Sequence, residues 1–281
     1  MKFLKSWLLL IGLALSFQSF AQFPSDSGDA QYQPRLGQDG KDVIWMPTGN
    51  DLVNLMLKTA KVSPSDLVYD LGAGDGKIAI AAAKNFGARA VGIEFNPDMA
   101  ALAQRNAKRA GVGDRVTIIN GDIFKEDFSK ATVVTLYLLP DLNLRLRPTI
   151  LKMKPGTRVV SHAFTMGDWE PDQELDVGSR GFYWVVPADV SGNWSLNGVE
   201  SSNKATLSLT QHYQNIAGNI TIGNKSQPIL KAKLEGDKLS FSYIGRKNTL
   251  HTISGKVTGN EFKGEDPAFY QNVITGATGI R

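Results

Sequence analysis

Residues Val68–Ile80 read VYDLGAGDGKIAI, and this stretch decides the fold. Val68 to Leu71 is an apolar run suited to a strand buried on both faces. Gly72, Gly74 and Gly76 form a tight turn behind it, and the residues up to Ile80 open a helix. Asp70 sits just before the turn. Glycines let a ligand approach bare backbone, and the helix N-terminus that follows favours polar or anionic groups. The dinucleotide fingerprint G-x-G-x-x-G would need its third glycine at position 77. That residue is Lys77, and the glycine falls one place early. The signature is instead an acid followed by G-x-G-x-G.

Around this centre, residues 43 to 165 alternate short β-branched runs with helical patterns. The runs are Leu67–Leu71, Ala90–Glu94, Val116–Asn120, Thr132–Tyr137 and Arg158–His162. The helix between the second and third is well marked. Asn96 caps it, Pro97 fits its first turn, and Gly111 ends it. Met99, Leu102, Ala103, Ala107 and Ala110 share one face, with Arg105, Lys108 and Arg109 near the negative end of the dipole. Such alternation predicts a doubly wound, mostly parallel sheet with its ligand at the C-terminal strand edge.

Acids recur at that edge. The first strand ends at Asp70. The second ends at Glu94, whose carboxylate can accept from two ribose hydroxyls. The third ends in NGDIF, where Asp122 can accept from an adenine amino group, and the fourth ends in LYLLP. Three acids at successive strand ends, after a glycine turn, make a nucleoside pocket the specific expectation.

Residues 45–170 resemble a class I S-adenosylmethionine-dependent methyltransferase domain. DLGAGDG stands as its motif I, GIEFNPDM as the ribose motif and NGDIF as the adenine motif, with VTLYLLP and MKPGTRVVSHAF as the fourth and fifth strand motifs. The pattern is similar to bacterial relatives of the small lysine methyltransferases, in which WMPT precedes the domain and helps to close the cofactor site. The resemblance implies that Asp70, Gly72 and Gly74 hold the methionyl part of S-adenosyl-L-methionine, with Thr48, Ala73 and Gly76 among the cofactor-binding residues. It gives Glu94 the ribose, Phe95 the adenine face, and Asp122 with Ile123 the adenine edge.

The transferred methyl of this cofactor is already electrophilic, so the protein must align an unprotonated acceptor and exclude water. No metal is required. Tyr137, at the end of the fourth strand, is the first candidate to line the acceptor channel, and His162 and Asp168 are candidates to help accept the proton. The Asn-Pro-Pro signature of many adenine and glutamine methyltransferases is replaced by LYLLP, which argues against those acceptors. A protein lysine or another amine is the expected acceptor.

The first residues carry Lys2, Lys5, an apolar stretch from Trp7 and a small residue at Ala21. This pattern predicts a signal peptide over 1–21, a periplasmic or secreted protein, and no membrane span once the signal is removed. Its removal takes two lysines and no acid, so the net charge falls from +4 to +2. No basic stripe interleaves with aromatics, and a nucleic-acid partner is not expected. The absence of cysteine excludes disulfides, thiolate metal sites and a lipid-modified cysteine. A Gln-, Asp-, Gly-, Ser- and Pro-rich stretch predicts a flexible arm over 22–42, ahead of the methyltransferase-like domain over 43–188.

From 189 to 281 the texture becomes alternating and β-rich. Leu207, Leu209 and Tyr213 alternate with polar residues, as do Ile220 and Ile222, then Leu239, Phe241 and Tyr243. Ala217-Gly218-Asn219, Glu235-Gly236-Asp237 and Gly259-Asn260 read as turns. A small antiparallel barrel or sandwich is expected. Whether Phe182–Val186 closes the first sheet or opens the second stays open at this level. An exported chain is set apart from a cofactor made in the cytosol. The alternative function is therefore a non-catalytic envelope binding protein that uses the nucleoside pocket as a scaffold and the β domain for a lipid, glycan or protein.

Overall fold

A computed structural model of the protein describes residues 28–201, 204–267 and 273–279. The signal peptide read over 1–21 lies outside them. The first domain comprises α1 (Asn50–Thr59), β1 (Leu67–Leu71), α2 (Lys77–Phe86), β2 (Arg89–Glu94), α3 (Pro97–Arg109), β3 (Val116–Asn120), β4 (Val133–Leu136), α4 (Pro140–Ile150), β5 (Arg158–His162), β6 (Gln173–Asp176) and β7 (Arg180–Val185). The sheet order is β3-β2-β1-β4-β5-β7-β6, parallel through β5, with β7 antiparallel to both β5 and β6. Phe182–Val185 thus closes the first sheet. Strand order reverses between β1 and β4, so the ligand crevice falls above the glycine turn.

Local chemistry explains why the elements start and stop where they do. The Asn96 side chain accepts from the backbone N–H groups of Asp98 and Met99, and Pro97 opens α3. Both faces of the sheet are covered. Leu52, Met56, Ala79, Ala82 and Ala103 bury one face beneath α1–α3, and Leu142, Leu146, Ile150 and Trp184 bury the other beneath α4. That double cover is why the strands read as continuous apolar runs rather than alternating ones. β4 is shorter than expected: Tyr137 lies just past its end, at the crevice rather than in the ladder.

Gly76 belongs to this packing and not to a ligand. It has φ +84°, and a Cβ there would meet Ala103 Cβ at 3.1 Å, so it allows α2 and α3 to approach. It is not among the residues lining the crevice, which corrects its assignment to cofactor binding. Gly76→Ala is expected to cost about 1–3 kcal/mol of stability through backbone strain and overpacking. Affinity for S-adenosylhomocysteine should stay within about twofold of wild type, below 1 kcal/mol. A melting curve and a calorimetric titration of the same preparation check both parts.

The second domain comprises β8 (Gly192–Asn197), β9 (Ala205–His212), β10 (Asn215–Ile222), β11 (Lys225–Pro228), β12 (Leu230–Glu235), β13 (Lys238–Ile244), β14 (Leu250–Thr258), β15 (Glu261–Glu265) and β16 (Val273–Thr278). They form one antiparallel sheet in the order β11-β10-β9-β8-β16-β15-β14-β13-β12. Ile229 N–H donates to Gly218 O and draws its two ends together into a nearly closed barrel. Trp194, Leu207, Ile220, Phe241, Ile253 and Phe262 fill the interior, while Lys225, Lys231, Lys233 and Lys238 face solvent.

One turn expectation and one strand expectation need correction. Ala217-Gly218-Asn219 lies inside β10. A Cβ at Gly218 would fall 2.0 Å from Ser208 O, so the glycine serves close strand approach. Tyr213, read as a strand residue, lies just past β9 with φ +54° in the two-residue turn between the paired His212 and Asn215. The barrel packs on the first domain where Gly236 abuts Gly156 and where Trp169 stacks on Tyr213, with ring centroids 6.0 Å apart.

Candidate active site

One crevice gathers Thr48, Asp70, Gly72, Ala73, Gly74, Glu94, Phe95, Asp122, Ile123 and Tyr137. The strand ends β1 to β4 supply all of them except Thr48, which arrives from the segment before α1. The floor is bare backbone. A Cβ at Gly72 would meet the Leu138 side chain at 3.0 Å, and one at Gly74 would meet the Trp45 indole nitrogen at 2.8 Å. Any larger residue at either position would fill the cradle.

Glu94 braces the turn. One carboxylate oxygen accepts from Gly74 N–H at 2.8 Å and the other from Asn96 N–H at 2.8 Å. Burial raises its pKa and these N–H groups oppose the rise. Asp70 is more deeply buried and accepts from the Thr135 hydroxyl at 2.6 Å. Burial, with Asp75 and Glu94 nearby, pushes it up to about 7 despite the Thr135 bond. Asp122 sits near the surface. It accepts from Lys41 Nζ at 2.9 Å and from Phe124 N–H at 3.0 Å, which hold it below the usual carboxylate range. Phe95 is exposed beside it, with Lys41 Nζ 4.9 Å above its ring. A buried acid at the deep end and a flat ring at the outer end suit a ligand that is cationic at one end and aromatic at the other.

The catalytic candidates separate. Tyr137 lines the crevice. His162 lies behind it, with ring centroids 3.8 Å apart, and its Nδ1 is 3.0 Å from Thr48 Oγ1. Burial lowers the His162 pKa, which favours the neutral ring. His162 stands outside the crevice lining, where it can position Tyr137 and Thr48. Asp168 lies elsewhere. It pairs with Arg147 of α4, accepts from the Tyr213 hydroxyl at 3.2 Å, and joins the two domains. The Arg147 guanidinium satisfies a carboxylate that had read as a proton acceptor, so Asp168 is removed from the catalytic set.

Sequence reading placed WMPT beside the cofactor site but missed the part of the crevice wall that precedes Trp45. The stretch expected to be a flexible arm over 22–42 is held in place from residue 28 onward. Asp29 pairs with Arg105 and accepts from the N–H groups of Gln31 and Tyr32. A short hairpin follows, in which Gly37 N–H donates to Trp45 O and Trp45 N–H donates to Gln38 O. The segment Gln38–Thr48 lines the crevice along its whole length. Lys77, where the dinucleotide fingerprint wanted glycine, donates to Thr48 O at 3.2 Å and fastens the end of this segment.

This fold and crevice define a class I S-adenosylmethionine-dependent methyltransferase, and comparison with known proteins shows that the chain belongs to that family. The model of the ANTKMT methyltransferase domain matches residues 70–173. A protein-lysine N-methyltransferase of Saccharolobus islandicus is 47% identical over 137 residues, which is 48% of this chain and 85% of that protein. An adenine nucleotide translocase lysine N-methyltransferase of Mus musculus is 33% identical over 142 residues, which is 50% of this chain and 60% of that protein. Among solved structures, an RNA methyltransferase from Salinibacter ruber, in complex with S-adenosyl-L-homocysteine, is 50% identical. It covers 52% of this chain and 96% of its own, with a TM-score of 0.51. The protein is an S-adenosylmethionine-dependent methyltransferase carrying an additional β domain. These comparisons lend no support to a non-catalytic binding protein.

The crevice fits the cofactor: a Cβ would fill its glycine floor, and its buried acids match a sulfonium and an ammonium group. Asp70, with the turn from Gly72 to Gly74, would hold the methionyl part. Glu94 would hold the ribose, and Phe95, Asp122 and Ile123 the adenine. When bound, the cofactor supplies an electrophilic methyl group on a positively charged sulfur.

Proposed function

We propose that the protein N-methylates a lysine side chain of a protein acceptor outside the cytoplasm. One observation carries this reading. An adjoining cleft shares Val43, Ile44, Met46, Tyr137 and Leu138 with the cofactor crevice and extends it to Leu139 and Phe164. Its walls suit the methylene stem of a lysine. Asp39, Lys41 and Asp42 line it too, and their net negative charge would favour an ammonium group over the phosphates of a nucleic acid. An amine entering an apolar cleft has its pKa lowered by desolvation, which populates the neutral form that transfer requires. The chain's work is therefore to orient the amine, exclude water and make deprotonation easier.

The relatives that act on lysine support this acceptor class, and the RNA methyltransferase keeps RNA as the competing outcome. The test is methyl-labelled cofactor offered to protein and RNA fractions from the same cells, with the labelled residue identified by mass spectrometry. Label on a lysine of an envelope protein supports the proposal, and label confined to RNA defeats it. Sequencing the amino terminus of the purified mature protein tests export, with Gln22 expected first.

Tyr137→Phe tests the junction of the two clefts. Cofactor affinity should be nearly unchanged, while the rate of transfer falls by about tenfold or more if the hydroxyl orients the acceptor. Wild-type turnover in that variant would leave Tyr137 as packing against His162.

A further inference from the structure

The hairpin at residues 37–45 has two faces. One lies on the cofactor crevice and the other on the adjoining cleft, so Lys41 and its neighbours form the wall between them. Among the described residues, ion pairs hold this wall together with the packing of Val43 against the core and the Lys77 bond to Thr48 O at its downstream end. Upstream, Asp29 pairs with Arg105 and lies 3.5 Å from Arg109. In the middle, Lys41 Nζ is 2.9 Å from Asp122 Oδ2 and 3.8 Å from Asp42. Downstream, the Trp45 indole rests against Gly74. The remaining backbone bonds of the segment are internal to the hairpin and would travel with it.

A ligand held between Phe95, Asp122 and the glycine floor is roofed by this hairpin and must displace it to leave. Lys41 grips the carboxylate at the adenine end and stands over the ring expected to stack on the base. We propose that the hairpin is a latch on the cofactor, with Lys41 as its catch on Asp122 and Asp29 as its outer anchor. Lys41 is then a positioning residue that sets how long the cofactor stays. The proposal rests on the cofactor assignment above. The catch is a partly exposed ion pair, so it weakens as salt screens it, whereas apolar contact of Trp45 with the turn does not.

The test is the dissociation rate of tritiated S-adenosylhomocysteine from the full mature protein, chased with excess unlabelled ligand. Lys41→Met keeps the stem and removes the charge. It should speed release about fivefold, as expected for breaking a partly exposed pair. Asp29→Asn touches no part of the crevice and should speed release in the same direction, by about threefold. Wild-type release should quicken between about 0.05 and about 0.5 M NaCl, while Lys41→Met loses most of that dependence. Melting curves verify that both variants are folded. Release rates within about twofold of wild type in both variants, with unchanged salt dependence, overturn the latch. Glu94→Ala is run in parallel: normal binding there overturns the crevice assignment and the latch together. A binding loss in Glu94→Ala with unaltered Lys41→Met release removes the latch alone.

Discussion

Glu94→Ala is expected to weaken S-adenosylhomocysteine binding by about 1.5–3 kcal/mol, roughly 10- to 150-fold, in a calorimetric titration. The loss has two sources. The carboxylate at the end of β2 would accept the ribose hydroxyls, and charge-assisted bonds of this kind are stronger than neutral ones. The same carboxylate also accepts from Gly74 N–H and Asn96 N–H, so its removal frees a donor in the glycine turn and another at the start of α3. Glu94→Gln separates the two. Its amide oxygen can keep one of those bonds but carries no charge, so it should fall between wild type and alanine. An alanine variant binding within about twofold of wild type would sink the ribose assignment.

The second large effect is a pH dependence centred on Asp70. Its folded pKa of about 7 lies above the ordinary value of 3.8 because burial penalises the charged form. The folded chain therefore binds more protons at this site than the unfolded chain between those two values. Stability falls as pH rises across that window and levels off above about 7. A shift of roughly three pK units corresponds to about 4 kcal/mol at most. A cationic ligand beside Asp70 reverses the balance by favouring the carboxylate. Cofactor binding should then release a proton, and affinity should rise from about pH 5.5 to about 7.5. The stabilisation given by saturating S-adenosylmethionine, read as a shift in melting temperature, should be greater at the upper end of this range. Asp70→Asn should flatten both profiles. A shift independent of pH in the wild type would show that Asp70 does not meet the cofactor's charge.

Much of this site is legible in the sequence because it is built from strand ends. A strand covered on both faces announces itself as an apolar run. Once the alternating order is read as a doubly wound sheet, the residue closing each run must come to the same edge. Asp70, Glu94 and Asp122 were located this way, and so was Tyr137. What failed were residues whose role depends on a partner distant in the chain. Asp168 reads as a free acid until Arg147 of α4 is brought against it. Gly76 reads as part of the cradle until Ala103 is packed against it. The stretch from residue 28 reads as a loose arm, yet Lys41 finds Asp122, which is 81 positions away. One signal was available: Trp45, half-buried in a short polar-flanked segment just before the domain, is costly to leave in water.

The amino-acid sequence by itself determined the class of sheet, the glycine turn and the row of acids that a nucleoside needs. These follow from period, turn chemistry and the one-edge rule of parallel α/β folds, all of which act over a few residues or through topology. Tertiary structure alone decided which of the charged groups face the crevice, which tie the barrel to the first domain, and that the residues before WMPT form a hairpin along the site. Those outcomes depend on ion pairs and close contacts between remote segments, whose strength is set by geometry and burial and leaves no periodic trace along the chain.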